Sequence, residues 1–362
     1  MTILTEEMKT IMRIPYALRR VPPESFACLL PVTPSPLPGD IALAQLLRIG
    51  KNARLELTNG RPCNLHEGDL LGVVFGNRYA TQQFEGYARA NGEFCDLLSM
   101  AGVCGLVEGK HASVAEPTNL RLLGFLGDAD GRALRLRDFA LAPTSTPRQP
   151  NILVVCGTSM DAGKTHTAMS LIVGLRRHRQ RVAAIKLTGT ATGRDTWSML
   201  DAGAYPALDF VDGGIASTYL CTLDDLLILY RLLTTYAAAK GADWVVVEIA
   251  DGLLQEETAA LLRSPAFTAT VDAWVFATGD PVAAAGGVCM LRGLGIEPIA
   301  ISGVISMSPL AMRETQAVTG IHCLTARELQ CGDLNALLEQ TLRRMPHPPS
   351  RLTQNRMAEQ DA

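Results

Sequence analysis

Long apolar runs, blocks of like charge and closely paired cysteines are all missing from this chain of 362 residues. The longest apolar runs, such as 244–249, have the length of a strand, far short of the roughly 20 residues that span a bilayer. Charged residues make up 19% of the chain, and the formal net charge is -3. We therefore expect no membrane and no nucleic acid among the partners, which leaves small molecules.

Nine cysteines are scattered without a CxxC pair, and the histidines show no spacing typical of metal ligands. We interpret the cysteines as free thiols in a reducing compartment, and we expect no zinc or iron site. Residues 1–20 lack the uninterrupted apolar segment of a secretory signal. These features together predict a cytoplasmic protein.

The length and a hydrophobic content of 48% favour two domains. Proline-rich stretches at 21–39 and 142–150 interrupt the chain. The expected organisation is an N-terminal extension (1–38), a β-rich domain (39–141), a linker (142–150), a P-loop NTPase domain (151–345) and a disordered tail (346–362).

The two predicted domains differ in their pattern. Before the linker, short β-rich runs bounded by turn signals predict a small antiparallel barrel or sandwich. After it, apolar runs alternate with helical patterns, which predicts an α/β fold: a parallel sheet with helices on both faces. The predicted strands are 151–156, 181–186, 244–249, 273–277 and 298–305, and the predicted helices are 164–178, 223–240, 256–263, 281–294 and 309–319.

The segment 157–165 reads GTSMDAGKT between a predicted buried strand and a predicted helix, the context of a phosphate-binding loop. Gly157 and Gly163 let the backbone curl so that its N–H groups face inward, and the helix start adds its positive dipole end. Lys164 is placed to bridge the β and γ phosphates, and the Thr165 hydroxyl to coordinate magnesium. The segment therefore predicts ATP, or a close relative, with Mg²⁺.

We expect ten consecutive residues to contact the nucleotide: Gly157, Thr158, Ser159, Met160, Asp161, Ala162, Gly163, Lys164, Thr165 and His166. Guanine-specific relatives carry an NKxD or TKxD motif, and neither follows residue 270. Adenine is therefore the preferred base. Residues 277–281 and 306–309 are candidates for the base pocket; the alternative is that Asp280 and Ser308 only cap helices.

With five residues between its glycines, in the form GTxxxxGKT, the C-terminal half resembles dethiobiotin synthetase of the SIMIBI class of P-loop proteins. Lys186, within AIKLTGTATGRD, is similar to the family's strand-terminal lysine, and Asp195 follows where the family has a magnesium-binding aspartate. VVVEIADG is similar to the family's VVEGAGG and puts Glu248 in the magnesium-ligand position. The resemblance implies catalytic roles for Lys164, Lys186, Glu248 and Asp195, and magnesium binding by Thr165, Asp195 and Glu248.

This set is also physically reasonable. Two carboxylates and a hydroxyl around one magnesium, with two lysines on the transferring phosphoryl group, neutralise charge where it develops. The alternatives are that Lys186 is a solvated strand end, that Asp195 is a turn residue or a helix N-cap, and that Asp251 only forms a turn with Gly252.

The resemblance implies a homodimer that phosphorylates a carboxylate-type group, but the chain also departs from the family. Residues 249–252 read IADG where the family has a Gly-Ala-Gly-Gly run, and the family lacks the N-terminal β domain. The C-terminal half also resembles P-loop proteins associated with D-glutamate N-acetylation. Their N-terminal domain is Rossmann-like, a pattern that this sequence does not show.

The segment 76–86, GNRYATQQFEG, concentrates polar recognition residues after an apolar run. Arg78 is suited to a substrate carboxylate and Tyr79 to stacking or hydrogen bonding; the alternative is a solvated hairpin loop. The predicted function is ATP-dependent phosphorylation of a carboxylate-like acceptor by a ligase or kinase. The alternatives are an acyltransferase that binds the pyrophosphate of a CoA-type donor, and a nucleotide-dependent regulatory switch.

Overall fold

The structure, a computed structural model, describes residues 2–33 and 35–344. It is a mixed α/β structure, with a mainly antiparallel sheet in the first half of the chain and a parallel sheet flanked by helices in the second. The tail predicted at 346–362 lies outside the described residues. Within those residues, no helix has the length and apolar character needed to cross a membrane.

The described residues of the first half form ten strands and one short α-helix. They are β1 (Thr2–Ile3), α1 (Glu6–Ile11), β2 (Cys28–Leu30), β3 (Ile41–Arg48), β4 (Arg54–Glu56), β5 (Pro62–Asn64), β6 (Leu70–Phe75), β7 (Phe84–Tyr87), β8 (Phe94–Leu97), β9 (Val103–Lys110) and β10 (Thr118–Gly127).

Five of these strands pair into a closed ring; this ring, together with the segments that connect its strands, is here called the barrel. β10 pairs with β3, β3 with β6, β6 with β9, β9 with β8, and β8 with β10. Every pair is antiparallel except β6 with β9. The antiparallel β structure expected before the linker is thus observed, as a ring closed through one parallel pair.

Side chains of β3 alternate between two apolar clusters. Ala42, Ala44 and Leu46 lie in the cluster inside the barrel, whereas Ile41 and Leu43 lie in a larger cluster outside it. This follows from the period of two of a strand. The outer cluster also contains residues of the parallel sheet, so the two halves of the chain pack against each other.

In the second half, the described residues up to 344 form six strands and nine α-helices. They are β11 (Asn151–Gly157), α2 (Lys164–Arg177), β12 (Val182–Lys186), α3 (Gly193–Asp201), β13 (Ala207–Asp209), α4 (Leu223–Ala239), β14 (Trp244–Glu248), α5 (Glu256–Arg263), α6 (Pro265–Thr268), β15 (Ala273–Ala277), α7 (Pro281–Gly293), β16 (Ala300–Ser302), α8 (Pro309–Thr319), α9 (Ala326–Cys331) and α10 (Leu334–Arg344). The strands pair in parallel in the order β13-β12-β14-β11-β15-β16.

Both faces of the parallel sheet are covered. Leu153 and Val155 of β11 lie in a cluster with residues of α2, α3, α9 and α10. Ile152, Val154 and Cys156 lie in the other cluster, with α4, α5 and α7. Because both faces are buried, these strands are apolar throughout rather than alternating.

The residues before the barrel are also part of the packed structure. Tyr16 is buried, and its hydroxyl donates to Asp209 Oδ2 at 2.7 Å, at the end of β13. Arg19 Nη2 donates to both Asp209 and Asp212 at 2.7 Å. The N-terminal segment therefore joins the barrel to the edge of the parallel sheet where the strands end.

Candidate functional site

The predicted phosphate loop has the strand, turn and helix that its sequence requires. β11 ends at Gly157, and α2 begins at Lys164. A Cβ on Gly157 would lie 2.8 Å from the Ala277 carbonyl oxygen and 2.9 Å from Lys164 Cγ, so a larger residue does not fit there. Gly163, which precedes the helix, has a φ of +92°, a conformation that favours glycine.

The backbones of two neighbouring strand ends hold this loop in place. The Thr158 amide donates to the Ala277 carbonyl at 3.0 Å, and the Val304 amide donates to the Ala162 carbonyl at 3.1 Å. A Cβ on Gly163 would lie 2.8 Å from Gly303 Cα. The shape of the loop is thus supported by the ends of β15 and β16 as well as by its own glycines.

Lys164 is buried, with 6% of its surface exposed, and its ammonium group donates to the Ser159 carbonyl at 2.6 Å within the loop. Burial lowers the pKa of Lys164, and the Glu248 carboxylate partly offsets that effect. A buried ammonium group beside a curled backbone is suited to a phosphate.

Lys186 and Glu248 lie side by side because β12 and β14 are neighbours and these residues are register partners. Lys186 Nζ contacts Asp195 Oδ2, and Glu248 Oε1 at 3.4 Å. The Thr165 hydroxyl donates to the same Glu248 oxygen at 2.9 Å. Four predicted site residues therefore form one connected group, here called the charge cluster: Thr165, Lys186, Asp195 and Glu248.

The surroundings of Lys186 and Asp195 decide between the alternatives left open by the sequence. Lys186 is only 9% exposed, so it is not a solvated strand end. Burial alone would lower its pKa, but Asp195 and Glu248 outweigh burial and raise the pKa, so Lys186 is charged at neutral pH. Asp195 lies in the first turn of α3, whose N-cap is Thr192.

The charge cluster offers oxygen ligands suited to Mg²⁺. Glu248 is 1% exposed, and its Oε2 is buried without a hydrogen-bond partner among the described residues. Mg²⁺ is usually bound by one or two carboxylates together with substrate phosphates and water. Both carboxylates of the charge cluster are ion-paired with Lys186, Asp195 through Oδ2 and Glu248 through Oε1, so Glu248 Oε2 is a carboxylate oxygen of the cluster left free for a metal. Residues 2–33 and 35–344 contain no group of three His, Cys, Asp or Glu side chains suited to a metal.

The remaining side chains of the predicted nucleotide-contact stretch differ in exposure. Ser159, Asp161 and His166 are exposed, whereas Thr158 and Met160 are half-buried. Asp161 has a φ of +62°, so it takes the left-handed conformation inside the turn. In this stretch the backbone, rather than the side chains, therefore provides most of the groups that can bind a phosphate.

The turn after β14 touches the phosphate loop, a contact for which the sequence contained no signal. A Cβ on Gly252 would lie 2.3 Å from the Thr158 carbonyl oxygen. Asp251 has a φ of +62°. Burial raises the pKa of Asp251, and Lys164 and Lys186 act against that rise. The turn that contains Asp251 therefore lies directly against the phosphate loop.

One segment of the barrel, residues 76–87, packs against the loop 217–221 of the second half. Asn77 Nδ2 donates to the Tyr219 carbonyl at 3.3 Å, and the Tyr79 and Tyr219 rings are 5.5 Å apart. The loop in turn is bonded to the turn after β12, because the Thr218 hydroxyl accepts from the Gly189 amide at 2.9 Å. The segment is thus not the freely solvated hairpin loop that was its alternative interpretation.

Glu56 is a second contact from the barrel that sequence reasoning missed. Its Oε2 accepts a hydrogen bond from the Gly193 amide at 2.9 Å, at the first residue of α3 and two residues before Asp195. Burial raises the pKa of Glu56. The barrel therefore supports the element that carries Asp195.

The two segments proposed for the base pocket use their polar side chains as helix caps. Asp280 Oδ1 accepts from the Ala283 amide at 2.8 Å, and Ser308 Oγ accepts from the Ala311 amide at 3.3 Å. The capping alternative is therefore observed for both. Their backbones still follow β15 and the turn after β16, which border the phosphate loop.

Two cavities lie away from the phosphate loop. One, of about 470 Å³, is on the barrel between Leu47, Phe94 and neighbouring residues. The other, of about 320 Å³, lies between barrel residues such as Asn77 and residues of the loop 217–221. Neither of these two cavities is lined by residues of the charge cluster.

A scan against protein-family models found no match, and a search of curated proteins found none either. Among solved structures, the chain is similar to the signal recognition particle 54 kDa protein from Aeropyrum pernix K1, solved in complex with GDP. The TM-score is 0.36, and the identity is 23% over 54% of this chain and 50% of that one. A DUF1611 family protein from Anabaena variabilis also has a TM-score of 0.36, with 16% identity over 58% of this chain and 64% of that one.

The chain spans half of the first of these structures and less than two thirds of the second. Likenesses of this strength do not assign a family or an activity. The function proposed for this protein therefore rests on the geometry of the site.

Proposed function

We propose that this protein uses ATP and Mg²⁺ to phosphorylate a carboxylate-like group of a small molecule, as a ligase or kinase of the dethiobiotin synthetase-like type. The observation that carries the proposal is the charge cluster beside the phosphate loop. A phosphate loop alone suits any phosphate-bearing ligand. A second buried lysine held between two carboxylates adds the positive charge that phosphoryl transfer requires.

In this proposal each residue has a distinct task. Lys164 and the loop amides bind the phosphates, and Lys186 stabilises the charge on the transferred group. Asp195 and Glu248 keep Lys186 protonated and in place. Glu248 and Thr165 would hold Mg²⁺, which would supply positive charge to the phosphates.

The acceptor carboxylate is the nucleophile, and it is ionised at neutral pH without a general base. Its oxygen forms a bond to the γ phosphorus while the bond from that phosphorus to the leaving ADP oxygen breaks. The product is an acyl phosphate. A kinase would release it, and a ligase would use a second nucleophile to displace the phosphate.

The nucleotide is proposed to be ATP because the sequence lacks a guanine motif. The Asp280 carboxylate, which follows β15, is engaged in capping α7. The cytoplasmic location and the homodimer implied by the resemblance stay predictions, and sedimentation of the purified protein would check the dimer.

Thermal denaturation of the purified protein with ATP, GTP and acetyl-CoA, each with and without Mg²⁺, tests the proposal first. We expect stabilisation by ATP that requires Mg²⁺, because a ligand that binds only the folded state raises the melting temperature. Stabilisation by acetyl-CoA without any nucleotide effect would favour the acyltransferase alternative instead.

The variant Glu248→Gln completes this test at the charge cluster. It keeps the size of the side chain and an oxygen that can accept from Thr165, but it removes the charge beside Lys186. We expect ATP turnover to fall at least about 100-fold, comparable to the loss of one electrostatic contact to the transition state. Glu256→Gln, at an exposed carboxylate that begins α5, serves as the matched control. A folded Glu248→Gln protein with normal turnover contradicts the metal role.

A further inference from the structure

Arg78 is a buried cation with unused hydrogen-bond donors. It is 9% exposed, and the only hydrogen bond described for its side chain runs from Nη2 to Gln83 Oε1 at 2.7 Å. Its Nε and Nη1 atoms are buried without a partner among the described residues. A buried charge with unsatisfied donors is costly, since such groups are normally paired. One amide oxygen does not compensate a guanidinium group that can donate five hydrogen bonds.

The backbone holds Arg78 firmly in this position. The Arg78 amide donates to the Gly86 carbonyl at 2.8 Å, and the Gly86 amide donates back at 3.1 Å. The guanidinium carbon lies 5.9 Å from the centre of the buried Phe84 ring. The side chain is thus placed by the barrel, so its unused donors are not the result of a loose loop.

The surroundings place Arg78 at the candidate site. Burial lowers the pKa of Arg78 to about 10, and the Asp251 carboxylate partly offsets this effect. The pKa of Asp251 responds in turn to Lys164 and Lys186 as well as to Arg78. Gly252, the next residue, touches the phosphate loop. The contacts give the same placement. Asn77, the neighbour of Arg78, donates to the Tyr219 carbonyl, and Thr218 accepts from the Gly189 amide. A Cβ on Gly189 would lie 3.4 Å from Lys186 Cε, so this chain of contacts leads from the segment of Arg78 to the charge cluster.

We propose that Arg78 binds a carboxylate of the acceptor beside the phosphate loop, which makes the barrel the part of the protein that selects the substrate. This inference rests on the proposed function. Lys164 and Lys186 serve the phosphates, and this leaves Arg78 for the anion of the acceptor. Arginine suits the task because its planar donors match the oxygens of a carboxylate. Tyr79, the next residue, packs its ring against that of Tyr219 across the contact with the loop 217–221.

Binding of small carboxylates to the full chain tests the proposal. Acetate, succinate, benzoate and inorganic phosphate are titrated by calorimetry into protein saturated with MgADP, so that the phosphate loop is already filled. We expect at least one carboxylate to bind the wild type, and Arg78→Met to weaken it by tenfold or more. The affinity for MgADP should stay within twofold. Arg121→Met, at an exposed arginine of β10 paired with Glu93, is the matched control and should change neither affinity.

The melting temperature of the Arg78→Met variant distinguishes a ligand-binding role of Arg78 from a structural one. If Arg78 serves a ligand, Arg78→Met removes an unsatisfied buried charge, and the melting temperature without ligand should stay equal or rise. A structural role predicts a lower melting temperature. Arg78→Lys keeps the charge but not the planar arrangement of donors, so it should restore only part of the carboxylate affinity.

Three outcomes would overturn the assignment: no carboxylate binds the wild type, Arg78→Met binds carboxylates normally, or only inorganic phosphate depends on Arg78. The last outcome would make Arg78 a phosphate-binding residue. Failure of MgADP to bind counts against the proposed function alone, because the carboxylate titrations can be repeated without nucleotide.

Discussion

Gly252 has no Cβ, and this allows the turn after β14 to contact the phosphate loop. A Cβ there would lie 2.3 Å from the Thr158 carbonyl oxygen, well inside the normal contact distance. The atom in the way is backbone, which cannot rotate aside as a flexible side chain would. The conformation of the phosphate loop therefore depends on a residue about ninety positions away in the sequence.

Gly252→Ala should displace the phosphate loop and weaken nucleotide binding by tenfold or more, while the rest of the fold is kept. Gly286→Ala is the matched control, because Gly286 lies inside α7 with open space around its Cα. That change should raise the free energy of unfolding by about 1 kcal/mol, the usual gain from alanine in a helix interior. Calorimetry with ATP measures the nucleotide affinity, and unfolding in urea measures the free energy of unfolding. Equal nucleotide affinity in the two variants would contradict the role given to Gly252.

At the scale of elements, Asp243 ties together the starting ends of two parallel strands. Its carboxylate accepts from the Arg181 amide at 2.9 Å and from Arg181 Nη2 at 2.8 Å, and it lies 3.6 Å from Arg148 of the predicted linker. Burial acts to raise the pKa of Asp243, but the hydrogen bonds and charge of Arg181 outweigh burial and lower it below 3.8.

Asp243→Asn should therefore destabilise the protein at neutral pH by about 1 kcal/mol or less, as is typical of partly exposed ion pairs. The folded-state pKa is depressed, so the stabilising contribution is fully present above the unfolded-state pKa and is lost as the pH falls through the folded-state pKa. Urea unfolding between pH 7 and pH 2 should show wild type and variant converging at the acidic end. A constant difference across that range would contradict this explanation.

At the scale of the whole molecule, the barrel and the parallel sheet share one apolar cluster. Leu43 and Val74 of the barrel lie in the same cluster as Val154 and Ile185 of the parallel sheet. Polar contacts reinforce this packing through Tyr16 and Arg19. We therefore expect the two halves to unfold together.

The three tryptophans, Trp197, Trp244 and Trp274, all lie in the second half, whereas far-ultraviolet circular dichroism reports on both halves. Denaturant transitions followed by the two methods should coincide, as two-state unfolding requires. A dichroism change that precedes the change in fluorescence would show that the barrel unfolds separately. A barrel that unfolds separately would be unsuited to hold Arg78 rigidly at the site.

Much of the second half was predictable because its signals are local. Helices α5 and α8 begin and end where the apolar pattern and the prolines or acidic residues predicted them, and strand β15 matches its prediction. The helix α3 was not predicted, since its first residue is a glycine and only three of its nine residues are buried. Its start is supported by Glu56 of the barrel, a long-range contact that no local pattern records.

The sequence alone predicted the phosphate loop and five of the six described parallel strands, because apolar runs and glycine spacing are local signals; the three-residue strand β13 was missed. The residues of the charge cluster were predicted by the resemblance. Only the tertiary structure decided that Lys186 is paired with Asp195 and Glu248, that Gly252 touches Thr158, and that Arg78 is buried with two donors unpartnered among the described residues. Those relations depend on strand order and on packing between the barrel and the sheet. Residues far apart in the chain meet there because apolar burial draws the two halves together.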